Sequence, residues 1–143
     1  MTTDSHERTV EVTLTNQLGY ERVAMACSES FAKMFGLPSE RIEDLKTVVA
    51  EAAINAMQHG NKGRSGARVT VFMNFKNDAV NVWVVDEGEG IKHLPPKPDI
   101  QRIMDNLDPP IGFGVFLIKE LSDQVEFNEM VNGDHSVRMS IKM

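Results

Sequence analysis

Residues 51–60 read Glu51-Ala-Ala-Ile-Asn55-Ala-Met-Gln-His59-Gly60. A helix through them places Glu51, Asn55 and His59 at i, i+4 and i+8, on one stripe beside a face of small apolar residues. A carboxylate one turn from a carboxamide on a rigid helix suits work on a hard cation. The amide oxygen is a magnesium ligand, and the carboxylate can accept a proton or orient a water. Taken alone, the stripe is equally a solvated helix face, and a histidine at such a place is also favoured by the dipole of a helix C-terminus. Ile42, Leu45, Val48, Val49, Ala52, Ala56 and Met57 recur at helical spacing and supply a buried side. Ser39, before Glu40 and Arg41, is the N-cap candidate, and Gly60, Asn61 and Gly63 close the helix just after His59.

Working outward, residues 9–15 alternate apolar and polar as a strand does, and Leu18 to about Phe35 reads as a first helix. Val23, Ala26, Ser30, Phe31 and Met34 form its periodic stripe, and Gly36 ends it. After residue 60 come two strands, Arg68–Phe75 and Ala79–Val85, joined by the polar turn Lys76-Asn77-Asp78. Glycine and proline then dominate from Gly88 to Gly114, a long loop with a short helix expected over Asp99–Leu107. A helix over Val115–Leu121 and two strands, Gln124–Met130 and Ser136–Met143, turning at Asn132-Gly133, complete the chain. Strands and helices do not alternate one for one, so the expected class is α+β. The expected form is a two-layer sandwich with a mixed, mainly antiparallel sheet and helices on one face.

The chain has 143 residues, a net charge of −6 and 41% apolar content, which suits one soluble globular domain over 1–143 with residues 1–8 as a flexible tail. The acidic balance argues against nucleic acid as a partner, since a phosphate backbone rewards a basic face. Cys27 is the only cysteine, which rules out an intrachain disulfide and a thiol-based zinc site. No window suggests a signal peptide or a membrane span, and the cytoplasm is the expected location.

Two further segments carry chemistry. In Val84-Val85-Asp86-Glu87-Gly88-Glu89-Gly90-Ile91, an acidic residue directly after an apolar strand precedes spaced glycines that let backbone approach a flat ligand. Such a carboxylate could select an exocyclic amino group such as the N6 of adenine, although D-x-G-x-G by itself is first of all a charged turn. In Ile111-Gly112-Phe113-Gly114-Val115-Phe116-Leu117-Ile118, glycines at a helix entrance expose backbone N–H donors suited to phosphate oxygens. No Lys-Ser or Lys-Thr follows, so this is not a Walker loop. Asp108-Pro109-Pro110 precedes it in place of a strand, so it is not a dinucleotide fingerprint either.

The order and spacing of E-A-x-x-N-A-x-x-H-G, D-E-G-E-G-I and I-G-F-G-V-F-L-I resemble the N, G1 and G2 boxes of the GHKL ATPases, the superfamily of the histidine kinases and gyrase. Within it the chain is similar to the bacterial anti-sigma factor serine-protein kinases (RsbW-like). That resemblance implies the histidine-kinase-like ATPase fold, with ATP and Mg2+ as cofactors. It implies that Asn55 binds the metal between the phosphates and that Glu51 is the general base toward an accepting serine. It also implies that Asp86 recognises the adenine amino group on a wall shaped by Gly88, Gly90 and Ile91. Gly112, Phe113, Gly114 and the N–H groups of Val115 and Phe116 would meet phosphate. His59 is carried along with the first box, and Ser136 would help bind adenine through water. Residues from about 92 to 111 would form an ATP lid in which Lys97 or Arg102 reaches phosphate. Pro109 and Pro110 depart from the charged residues found there in relatives and would stiffen the lid.

The function so implied is an anti-sigma factor that is also a serine/threonine-protein kinase. It would phosphorylate a STAS-type anti-sigma factor antagonist and sequester a sigma factor, as a homodimer through Phe31, Met34 and Phe35 of the first helix or the N-terminal strand. The alternative is a nucleotide-gated protein-binding module with little or no kinase activity. The catalytic part of a two-component histidine kinase fits less well, because no helix pair bearing a phospho-accepting histidine precedes the site and His6 lies in the polar tail.

Overall fold

The computed structural model describes residues 8–88, 113–129 and 134–143. Its elements are β1 (Thr9–Thr15), α1 (Glu21–Met34), α2 (Ser39–Asn55), β2 (Arg68–Lys76), β3 (Ala79–Val85), α3 (Phe113–Leu121), β4 (Gln124–Glu129) and β5 (His135–Lys142). The strands form one sheet in the order β1-β2-β3-β5-β4, and every pairing is antiparallel. The β2–β3 hairpin turns on Asn77 and Asp78, both left-handed at φ 57° and 58°. Asn and Asp tolerate that region, and two such residues match the twist of the flanking strands.

Strand alternation gives the sheet two unlike faces. Val69, Val71, Met73, Val80, Val82, Val84, Met139 and Ile141 are buried in one core with Leu45, Val48, Val49 and Ala52 of α2. That layer is the expected helix-on-sheet sandwich, with α2 packed between α1 and α3. The other face carries Phe72, 38% exposed, and Trp83 with the Arg138 guanidinium 5.4 Å from its ring centre. Asn81 and Ser140 are buried on that face and satisfy each other. Ser140 Oγ donates to Asn81 Oδ1 at 2.6 Å, and Asn81 Nδ2 donates to Asn74 Oδ1 at 2.9 Å.

The helices correct three sequence expectations. In α1 the buried side is Ala24, Ser28, Phe31 and Ala32, while Val23 is 50% and Met34 74% exposed. The expected stripe is thus rotated, because small residues on both sides of this helix blur its periodicity. Phe31 meets Phe35 edge-on at 5.0 Å, and Phe35 stacks on Phe75 at 4.4 Å, so both are committed to packing and only Met34 of that trio offers open surface. Ser39 is the first residue of α2; Pro38 stands at the cap, with no side-chain capping bond. Among the described residues, no helix is long and apolar enough to cross a membrane.

Candidate functional site

Regular α-helix stops at Asn55, four residues before His59, and Ala56–Gly60 form a π turn. Asn61 N–H donates to the Ala56 carbonyl at 2.7 Å and Gly63 N–H to that of Met57 at 2.9 Å, longer loops than an α-helix closes. The widened turn breaks the i, i+4, i+8 repeat, and His59 is exposed within it. Glu51 and Asn55 keep their common stripe on the last turns of α2, each half-buried.

Those two side chains converge on the start of α3. A Cβ placed on Gly114 would lie 2.6 Å from Glu51 Oε2 and 3.5 Å from Asn55 Nδ2, so a side chain there would push the Glu51 carboxylate from its place. α3 begins at Phe113, two residues earlier than expected, which puts Gly114 and Val115 in its first turn, where helix geometry directs backbone N–H groups out of the helix end. Burial pushes the Glu51 carboxyl above its ordinary range. Asn55 Nδ2 is buried with no hydrogen-bond partner among the described residues, a cost a folded protein rarely bears without a ligand to relieve it.

The second half of the site lies where β3 ends. Asp86 is 6% exposed, and its Oδ1 accepts from Gly88 N–H at 2.9 Å and His135 N–H at 3.4 Å. Burial pushes its carboxyl up, partly offset by those two N–H groups and the nearby His135 ring. Two glycines lock this loop to the π turn. A Cβ on Gly60 would fall 2.1 Å from Asp86 Oδ2, and one on Gly88 would fall 1.7 Å from the Gly60 carbonyl oxygen. Backbone therefore meets backbone where the helix layer touches the end of the sheet.

Ser136 pairs with Val85, so it shares the outer face of the sheet with that residue, opposite to the face of Asp86. His135 takes the place beside Asp86: its carbonyl accepts the Asp86 N–H at 3.0 Å, and its Nδ1 lies 3.1 Å from the Gly88 carbonyl, to which it donates as Nδ1–H. Sequence reading missed His135 because only strand register reveals which of two neighbours faces the site. Gly90, Ile91, Gly112, the proposed lid at 92–111 with Lys97, Arg102 and its short helix, the turn at Asn132-Gly133 and the tail with His6 lie outside the described residues. So does the side chain of Phe113.

A model of the histidine kinase-like ATPase domain matches residues 14–141. The serine-protein kinase RsbW of Oceanobacillus iheyensis is 29% identical over 120 residues, covering 76% of this chain and 72% of that protein. RsbW of Bacillus subtilis is 28% identical over 121 residues, 81% and 75% of the two chains. The anti-sigma F factor of a Thermoanaerobacter species is 27% identical over 126 residues, 84% and 83%. Among solved structures, the SiaB–SiaC complex from Pseudomonas aeruginosa matches 95% of this chain and 91% of that one, with TM-score 0.67 and 16% identity. The RsbU and RsbW domains of a Mycobacterium tuberculosis protein match 94% of this chain and 32% of that longer one, with TM-score 0.66 and 16% identity. These last two likenesses speak to the fold. With a family match running through nearly all of the sheet, α2 and α3, the chain belongs to the histidine kinase-like ATPase family.

Proposed function

We propose that the protein is a serine kinase of the anti-sigma factor type, which uses ATP with magnesium to phosphorylate a serine on a STAS-type antagonist and binds a sigma factor in turn. The observation that carries this is the convergence of Glu51, Asn55 and Gly114: a partly desolvated carboxylate, an amide left with an unpaired buried donor, and a helix entrance, within one contact shell. The names of the RsbW and anti-sigma F relatives support a protein serine as acceptor and a sigma factor as target.

Asn55 would hold magnesium through its amide oxygen, alongside nucleotide phosphates, and its unpaired Nδ2 would donate to a phosphate oxygen. Among the described residues no three His, Cys, Asp or Glu side chains cluster to bind a metal alone. When bound, the ion neutralises charge on the transferring phosphoryl group. Asp86 accepts the adenine amino hydrogen, and the first N–H groups of α3 donate to phosphate oxygens. Glu51 takes the proton of the attacking serine hydroxyl, a role that its raised basicity suits. The protein acts in the cytoplasm as a homodimer. Sedimentation with and without ATP tests the dimer, and a monomer at both conditions would refute it. Phosphate transfer from magnesium-ATP to STAS proteins of the same genome tests the kinase. ATP-dependent partner binding with no transfer would instead establish a nucleotide-gated binding module.

A further inference from the structure

Asn61 follows directly on Gly60 and has no accessible surface. A carboxamide buried so completely needs its donors and its acceptor bonded, and here all are. Nδ2 donates to Asn16 Oδ1 at 3.2 Å and to the Arg68 carbonyl at 3.0 Å, while Oδ1 accepts the Glu87 N–H at 2.7 Å. The first two bonds tie the end of β1 to the start of β2. The third reaches the site, since the Glu87 N–H belongs to the peptide unit that links Asp86 to Glu87. The next peptide is held as well: Arg64 Nη2 donates to the Glu87 carbonyl at 3.0 Å, and Arg64 Nε donates to the Asn61 carbonyl at 3.0 Å. Glu87 in turn accepts the Arg68 N–H on Oε1 at 2.7 Å. The two peptides that follow Asp86 are thus clamped from the segment 61–64, while His135 holds the carboxylate from the other side.

We infer that Asn61 is a positioning residue for base selection. By fixing the peptide after Asp86, it aims that carboxylate at a purine amino group and so sets the preference for adenine, which offers a donor at C6, over guanine, which offers a carbonyl oxygen there. The inference rests on the reading of Asp86 as the base-recognising carboxylate, and it adds a side chain that touches no ligand itself.

Calorimetric titration of the full chain with magnesium-ATP and magnesium-GTP tests it, using Asn61→Ala, Arg64→Ala, Asp86→Asn and Asn81→Ala. Asn61→Ala is expected to weaken ATP about tenfold, the scale of one lost buried hydrogen bond, and to leave GTP unchanged. Its KM for ATP rises while kcat at saturating ATP holds. Arg64 is exposed, so Arg64→Ala keeps the fold and shows a smaller loss of the same kind. Asn81→Ala breaks a comparable buried network on the far face and lowers the melting temperature with ATP affinity intact. Unchanged ATP affinity in folded Asn61→Ala, or in Arg64→Ala should the first variant fail to fold, overturns the clamp while a loss in Asp86→Asn leaves the base reading standing. Equal weakening of ATP and GTP overturns it too. If Asp86→Asn binds ATP as the parent does, both the base reading and the clamp fall.

Discussion

At the scale of single residues, Glu51 separates a kinase from an ATP-binding switch. Glu51→Gln is expected to lower phosphate transfer about 10²–10⁴-fold, the usual contribution of a general base, with ATP affinity retained. Equal transfer rates would remove Glu51 from the chemistry. Since burial raises the Glu51 pKa, the acid limb of the kcat–pH profile should lie above the ordinary carboxylate value, with activity falling as pH drops through it. Stability runs the other way. Glu51 and Asp86 both bind protons more tightly in the folded chain. Their contribution is fully present below the unfolded values of about 4 and is lost as pH climbs through the raised folded ones. Asp86→Asn, which needs no charge buried, should therefore melt higher than the parent at neutral pH while losing ATP. A lower melting point would contradict the cost assigned to that carboxylate. Gly114→Ala makes the same point sterically. It keeps every reactive group but shifts the Glu51 carboxylate, so phosphate transfer should fall while ATP affinity changes less.

Elements hold these residues by means that differ in how plainly the sequence shows them. Arg41 at the start of α2 donates to the Lys142 carbonyl at 2.8 Å and pairs with Asp44 and with Asp123, which also accepts the Lys142 N–H. Arg41→Ala should cost about 1 kcal/mol in urea unfolding, because the group is largely but not wholly covered, and leave ATP affinity unchanged. Strands were legible almost to the residue: β1 and β3 have the expected bounds, since alternation and the Asn77-Asp78 turn are local signals. Glu51, Asn55 and Asp86 were legible as chemistry at fixed spacing, and the structure sets the first two against Gly114 and the third against Gly60. The π turn was not. Its longer hydrogen bonds form because Asn61 is drawn toward Arg68 and Glu87, a tertiary demand that no helical repeat encodes. The buried side of α1 was misread for the opposite reason, since its small residues make two stripes look alike.

For the whole molecule, nucleotide binding acts on the folding equilibrium. ATP at a hundredfold excess over its Kd should stabilise the chain by about 2.7 kcal/mol, a rise in melting temperature on the order of 10 °C. Asn55→Ala should abolish that rise in a thermal scan with magnesium, whereas a full shift would mean that Asn55 is not needed for binding. The contact of Gly60 with Asp86 and Gly88 has a practical consequence at this scale. Because Gly60 packs directly on the Asp86 side chain and on Gly88, and Asn61 and Arg64 bond the Glu87 peptides, the end of the helix layer and the end of β3 should open together. Their amides should then exchange with deuterium as one cooperative unit. A single peptide spanning residues 56–63, followed by mass spectrometry, would report whether the base is seated, with no label on the nucleotide or the protein.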